Sequence, residues 1–180
     1  MIEAHANIGL SDLSFLKPFV HASLYDIRGA LKGVVDWRTS GGKNKVQGDL
    51  TFTNTELGVL RTGARYTLRN ERVQAAASGF HLHAFTVRDT LGNTFVLDGR
   101  VLSEDLSHMR FDLGLRTDSF QLVNSTHSRD ALFYGDLLAS ADVRITGTDR
   151  APVVKGELGV LSGTDLSVVL PGSEVRIVES

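Results

Sequence analysis

The chain has no cysteine, which excludes disulfides and thiolate metal sites and says little about compartment. Charge of one sign is also missing: 19 Lys and Arg stand against 21 Asp and Glu, a formal charge of -2. The basic residues are scattered, so nothing electrostatic points to nucleic acid. No apolar run approaches the ~18 residues needed to span a bilayer. The opening Met1-Ile-Glu-Ala-His5 has neither the basic start nor the apolar core of a secretory signal. No Gly-x-Ser-x-Gly elbow occurs, and no long amphipathic helix breaks the pattern between Val46 and Ile177.

What is there is alternation. Met109, Phe111, Leu113 and Leu115 alternate with Arg110, Asp112, Gly114 and Arg116. Ala139, Ala141, Val143 and Ile145 do so with Ser140, Asp142, Arg144 and Thr146, and Leu166, Val168 and Leu170 close in the same way. Ala64, Tyr66 and Leu68 share a face, as do Phe95, Leu97 and Val101. Such alternation means one buried and one wet face, typical of antiparallel sheet. Phe80, Leu82 and Ala84 alternate until the phase slips at Phe85 and Val87. Turns are expected at Arg69-Asn-Glu71 and Leu91-Gly-Asn-Thr94, and a loop over Thr39–Asn44. Residues 22–36 fit either a helix or, given Gly29 and Gly33, a strand pair with a turn or bulge. One short helix is expected near residues 12–20, capped by Ser11 or Asp12 and cut short by Pro18.

Gly, a polar residue and then Leu or Val recurs at Gly48-Asp-Leu50, Gly99-Arg-Val101, Gly135-Asp-Leu137 and Gly156-Glu-Leu158. The spacing is irregular, so the chain is no fixed-period solenoid. A glycine opening a strand permits a bend or a close approach of its neighbour.

Chemistry-bearing clusters are few. His81-x-His83, with His108 as a third ligand, has metal-compatible spacing, but an exposed polar face is the more ordinary reading. Gly41–Gly42 before Lys43 lacks the strand and helix of a phosphate loop. Asp98, Glu104 and Asp105 lack EF-hand spacing and read as solvated turn charge. They are also the sole neighbouring carboxylates a hydrolase reading has to work with. No cofactor and no catalytic residue is expected.

An apolar sheet face needs a cover: helices, a second sheet, closure into a barrel, or a ligand lying in an open trough. A closed β-sandwich, acting as a structural or adhesive module, and a lipid-lined trough both satisfy the alternation. Pattern alone leaves the two open.

A resemblance bears on the choice. Phe133-Tyr-Gly-Asp-Leu-Leu-Ala-Ser-Ala-Asp-Val-Arg-Ile-Thr-Gly147, then Ala151-Pro152 and Gly163-Thr-Asp-Leu-Ser-Val168, resembles the C-terminal region of TamB-like proteins, particularly Bacteroidetes-type forms. Leu16-Lys-Pro-Phe19, Val46-Gln-Gly-Asp-Leu50 and Phe85-Thr-Val-Arg-Asp-Thr-Leu-Gly-Asn93 resemble further segments in the same order. TamB is the long subunit of the translocation and assembly module. The resemblance implies an all-β fold: a curved, mainly antiparallel sheet shaped like a half-pipe, with an apolar interior. It implies residues 1–180 as one groove segment, an excerpt of a longer repetitive protein, with strands from about 22 to 178. The place is the periplasm, with the full-length protein anchored in the inner membrane and reaching the outer one. The role is passive phospholipid transport between the membranes and support of outer-membrane protein assembly, without enzymatic activity. Partners are phospholipid acyl chains, an Omp85-type barrel protein contacted through regions outside this segment, and a second copy at open sheet edges. On this reading the lining is Ala64, Tyr66, Leu68, Phe95, Leu97, Phe111, Leu113, Leu115, Val143, Ile145, Leu166 and Val168. Each buried acyl CH₂ contributes roughly 0.8 kcal/mol, so occupancy needs no polar contact.

Overall fold

Among the described residues ten strands form one sheet in which every pairing is antiparallel. The computed structural model describes residues 2–13, 24–40, 43–103, 108–126 and 133–169. In chain order the strands are β1 (Ile2–Leu10), β2 (Leu24–Ser40), β3 (Lys43–Val59), β4 (Arg65–Ala76) and β5 (Gly79–Arg88). They continue with β6 (Thr94–Leu102), β7 (Arg110–Ser125), β8 (Phe133–Thr148), β9 (Pro152–Val160) and β10 (Asp165–Val168). From β1 to β8 each strand pairs with the next, a plain meander. β9 and β10 both lie along the far edge of β8, as one strand line interrupted at residues 161–164.

Several local expectations are corrected. No helix occurs among the described residues: Asp12 and Leu13 are not helical, and residues 14–20 of the short helix expected near 12–20 lie outside them. Ile2–Leu10, just before, alternates Ala4, Ala6 and Ile8 with His5 and Asn7 and joins the sheet instead. Residues 24–40 are one long strand rather than a strand pair, because the register shift between Arg28 and Ala30 sets Gly29 opposite Asn54 and Thr55, a bulge on β3 that lets β2 run on. The loop expected over Thr39–Asn44 is tighter, since Thr39 pairs with Asn44 and Ser40 with Lys43. The end of the strand region expected to reach about residue 178 lies, from residue 170 on, outside the described residues.

Arg69-Asn-Glu71, expected as a turn, runs through the middle of β4. The signal behind that expectation is a change of phase. The core takes Tyr66 and Leu68 from the even positions of β4 but Val73 from the odd ones, and Arg69 and Asn70 are both exposed at the switch. Here the β4–β5 ladder lapses between Thr67↔Arg88 and Val73↔Leu82. The Glu71 carboxylate bridges the lapse by accepting the Thr86 N–H at 2.7 Å. β5 makes the same switch at Ala84, which has φ 48° and donates its N–H to Asp98 Oδ1 at 2.8 Å. An alanine held in the left-handed region is strained, and the carboxylate bond helps hold it there.

The phase switches divide the inner face into two margins, and one of them is closed. In a flat sheet β4 and β7, with two strands between them, would stand about 14 Å apart. Instead Tyr66 of β4 stacks on Phe120 of β7 with ring centroids 5.0 Å apart. The Tyr66 hydroxyl donates to the Gln121 carbonyl at 3.1 Å, and the Asn124 N–H of β7 donates to the Thr62 carbonyl at 2.9 Å. The sheet has rolled up around Leu68, Phe85, Val87 and Phe120, with Phe95 edge-on to Phe120 at 4.6 Å.

Asp89 locks the roll. It is buried at the β5–β6 turn, where Oδ1 accepts the N–H groups of Leu91 (3.0 Å) and Asn93 (2.8 Å). Oδ2 accepts Asn93 Nδ2 (3.0 Å) and the Gln121 N–H of β7 (2.9 Å). The Gly-Asn pair of the expected Leu91–Thr94 turn is thus held by the aspartate just before it, which also ties the turn to β7.

The closed margin can be tested at both polar groups. Asp89→Ala leaves several N–H groups without an acceptor and should lower stability by about 3 kcal/mol, read from the urea midpoint at constant m-value. A loss below about 1 kcal/mol would show that the turn holds without its carboxylate. Burial, assisted by the nearby Asp89 charge, raises the Tyr66 pKa from 10.0 to about 12. Its contribution to stability is therefore fully present below pH 10.0 and is lost as pH rises towards about 12, because the unfolded chain ionises first. Absorbance titration should show a phenolate step near pH 12 that Tyr66→Phe removes; ionisation near the ordinary value would place the hydroxyl in water.

Candidate functional site

Beyond the closed margin the inner face stays open, and the pairing register lines it with apolar rows. One row crosses nine strands. It runs from Ile8 to Gly33, Leu50, Val73 and Leu82, then on through Gly99, Leu113, Ile145 and Val154. A second row, two residues along each strand, starts at Ala6, Val35, Gly48 and Ala75 and continues through Phe80, Val101, Phe111, Gly147 and Pro152. A third, Phe85–Leu97–Leu115–Val143–Gly156, joins the open face to the closed core. No polar side chain interrupts any of the three. Nine strands at ~4.8 Å spacing make each full row about 38 Å long.

These rows are half-covered. Of the first two, Ala75 alone is buried; Leu50, Val73, Leu82, Phe80, Val101, Phe111, Leu113 and Ile145 are intermediate. Packed between two sheets, they would be buried outright. Glycines bring the strands close along the way. At Gly48, Gly99, Gly135 and Gly156, the four Gly-polar-apolar recurrences, an added Cβ would strike a carbonyl oxygen of the neighbouring strand.

The twelve expected lining residues separate into groups. Leu113 and Ile145 sit together on the first open row, Phe111 on the second, and Leu97, Leu115 and Val143 on the third. Ala64 and Leu68 are buried, and Tyr66, Leu68, Phe95 and Leu97 belong to or pack against the core of the closed margin. Leu166 and Val168 lie on β10, paired with Gly135 and Phe133; Leu166 is half-buried and Val168 is 64% exposed. Residues of the same rows outside that set include Leu50, Val73, Phe80, Leu82 and Val101. Their alternation is visible in the sequence, but membership of a row depends on register between strands.

The outer face is polar. Between the two full rows runs Asn7–Val34–Asp49–Gln74–His81–Arg100–Asp112–Thr146–Val153. Arg144 binds Asp112 at 2.6 Å and Arg116 binds Asp142 at 2.9 Å, both across β7–β8. The Arg144 hydrogen bond holds the Asp112 carboxyl below its usual range. Gly114 leaves an open depression of ≈ 530 Å³ bordered by Asp98, Arg116 and Asp142. His83 pairs with Asp98 at 3.3 Å. Among the described residues no group of three His, Cys, Asp or Glu side chains is placed to hold a metal, and Glu104 and Asp105 lie outside them. Nor, among them, is any helix long and apolar enough to cross a membrane.

Comparison with known proteins bears on this architecture. No curated protein and no solved structure matches the chain. A family model, the TamB C-terminal domain, matches residues 83–180, more than half of the chain. The match begins within β5, and the two full rows continue from there across β4, β3 and β2 to β1. By that match the chain belongs to the TamB family of the translocation and assembly module, a non-enzymatic component of outer-membrane biogenesis.

Proposed function

We propose that the open inner face is a half-pipe that conducts phospholipids by holding their acyl chains while the headgroups stay in water. One observation carries this reading: apolar rows about 38 Å long that the protein itself leaves half-covered. Exposed apolar surface of that extent, rimmed by polar residues, marks a place where something apolar binds. The hydrocarbon of one bilayer leaflet is roughly 15 Å deep, so a row is long enough for two extended tails end to end. Chains lying along it gain roughly 0.8 kcal/mol per buried CH₂ and meet no polar group that would hold them in place, which suits passage better than storage.

Phe111, Leu113, Leu115, Val143 and Ile145 form the strip that touches the chains. Ala64, Tyr66, Leu68, Phe95 and Leu97 are its wall, filled by protein where the sheet rolls closed. Leu166 and Val168 extend the surface beyond the edge of β8. Family membership supports the setting: a segment of a periplasmic protein anchored in the inner membrane, working with an Omp85-type partner contacted through regions outside these residues.

A charge in the middle of the strip should stop binding without unfolding a half-covered position. Leu113→Asp is expected to lower bound phospholipid at least about 10-fold in native mass spectrometry, with the strand circular dichroism retained. Gln74→Asp, on the exposed polar row, should bind as the parent chain does. Equal lipid in both variants, or none in the parent chain even with a photo-crosslinkable phospholipid, would remove the half-pipe reading and favour a structural module.

A further inference from the structure

We infer that β9 is a self-complementary edge through which two copies of the chain join about a two-fold axis at Gly156. Among the described residues β9 pairs with β8 alone, and its other backbone edge faces outwards. Pro152 blunts one end of this edge and Lys155 and Glu157 stand on its outer face, but its inner face is apolar. Val154 is 59%, Leu158 67% and Val160 73% exposed, all on the inner face where the apolar rows end. Such an edge is a template for another strand.

The charges of β9 identify that strand. On the outer face Lys155 stands directly opposite Arg144 of β8, and Glu157 opposite Asp142. Both are like-charge pairs, which are unfavourable across a ladder. The β8 charges already have their partners on β7, Arg144 with Asp112 and Asp142 with Arg116. β9 thus meets β8 with the wrong charges, and the mismatch is relieved only from its free side.

A second β9 relieves it. The strand runs from Pro152 to Val160 with Gly156 at its centre. Antiparallel pairing about that residue sets Lys155 opposite Glu157 of the other copy, and Glu157 opposite its Lys155. On the inner face it sets Val154 opposite Leu158, twice. The axis is normal to the sheet, so both inner faces lie on one side and the apolar rows run across the junction from one copy into the next. This is an isologous contact that closes on two copies. The other edge, β1, does not pair with itself in this way: about its centre, Ala6, His5 meets Asn7 and Glu3 meets Gly9.

Sedimentation equilibrium on the chain tests this, because charge reversal moves association and folding in opposite directions. Lys155→Glu gives Arg144 an opposite charge across β8–β9, so the melting temperature should hold or rise. In the dimer the same change sets the introduced carboxylate against Glu157 of the other copy, twice over, so the dissociation constant should rise at least about 10-fold. Glu157→Lys should behave alike. The double reversal, Lys155→Glu with Glu157→Lys, re-forms both cross-copy pairs and should return to within about 3-fold of the parent. A monomeric parent chain at about 100 μM, a dimer indifferent to either single reversal, or a double variant no tighter than the singles would each overturn the β9 interface.

Discussion

The structure depends on strand register. Two apolar rows cross nine strands only because each strand meets the next at one particular alignment, Leu50 with Val73, Val73 with Leu82, Gly99 with Leu113, Leu113 with Ile145. Side chains alternate with period two, so a slip of one residue at any one of these ladders would turn Gln74, His81, Arg100 and Asp112 inwards. In a two-layer protein the opposing layer would resist such a slip. Among the described residues no second layer is seen, and the alignment must be enforced within the sheet. The means are local: the Arg28/Ala30 bulge, the left-handed Ala84 bonded to Asp98, the Glu71 bridge to Thr86, and glycines that admit a neighbouring carbonyl where a Cβ would collide.

The same devices explain why the two margins differ. Where β4 and β5 change phase, and where β7 shifts register on β8 between Thr117 and Phe120, the sheet bends enough for Tyr66 to reach Phe120 and for Asp89 to reach the backbone of Gln121. That margin contains the residues that satisfy the ordinary requirements of a folded core: Phe120 is 1% exposed and Leu68 4%. A small, well-packed core with a buried, fully hydrogen-bonded carboxylate beside it gives a fixed shape. The open margin is relieved of that duty and can keep its apolar rows half-covered. A chain with a single uniform core could not do both, because every apolar side chain would be drawn into it.

Alternation along Met109–Arg116 and Ala139–Thr146 makes β7 and β8 legible, and the phase slip at Phe85 is a real bulge. The inner membership of Leu113, Leu115, Val143 and Ile145 follows from period two within a strand. What the residues do not disclose is what happens between strands. Arg69-Asn-Glu71 has the composition of a turn, and only the pairing of Gly48–Gly58 with Arg65–Ala75 shows that the chain runs straight through it. The division into a closed and an open margin is equally hidden, since Tyr66 and Leu113 look alike in sequence and differ in what lies across from them. Asp89 gives no signal of its own, because Gly92 and Asn93 already account for a turn; its bond to Gln121, far along the chain, has no local signature. Conversely, the short helix near residues 12–20 rests on a candidate cap at Ser11 or Asp12 and a stop at Pro18, signals that do not by themselves stabilise so brief a segment.

The nature of the rows also bears on how far the family match reaches. Catalytic sites demand particular residues, whereas an apolar row demands only a class. Val, Leu, Ile, Phe and Ala all occur in the two full rows, and exchanges among them cost little at half-covered positions, where no close-packed neighbour fixes the volume; the row glycines are the exception, because an added Cβ there would strike backbone. Similarity in residue identity therefore fades along such a chain faster than the architecture does. The match begins at residue 83, yet Leu82, Val73, Leu50 and Gly33 continue the same row through β5, β4, β3 and β2. The match begins beside the phase switch at Ala84, but both full rows cross β5 before that switch, at Phe80 and Leu82, and continue into β4 and β6. The structural unit is the uninterrupted row, and β1–β4 belong to it on the same physical terms as the strands that carry the family's signature.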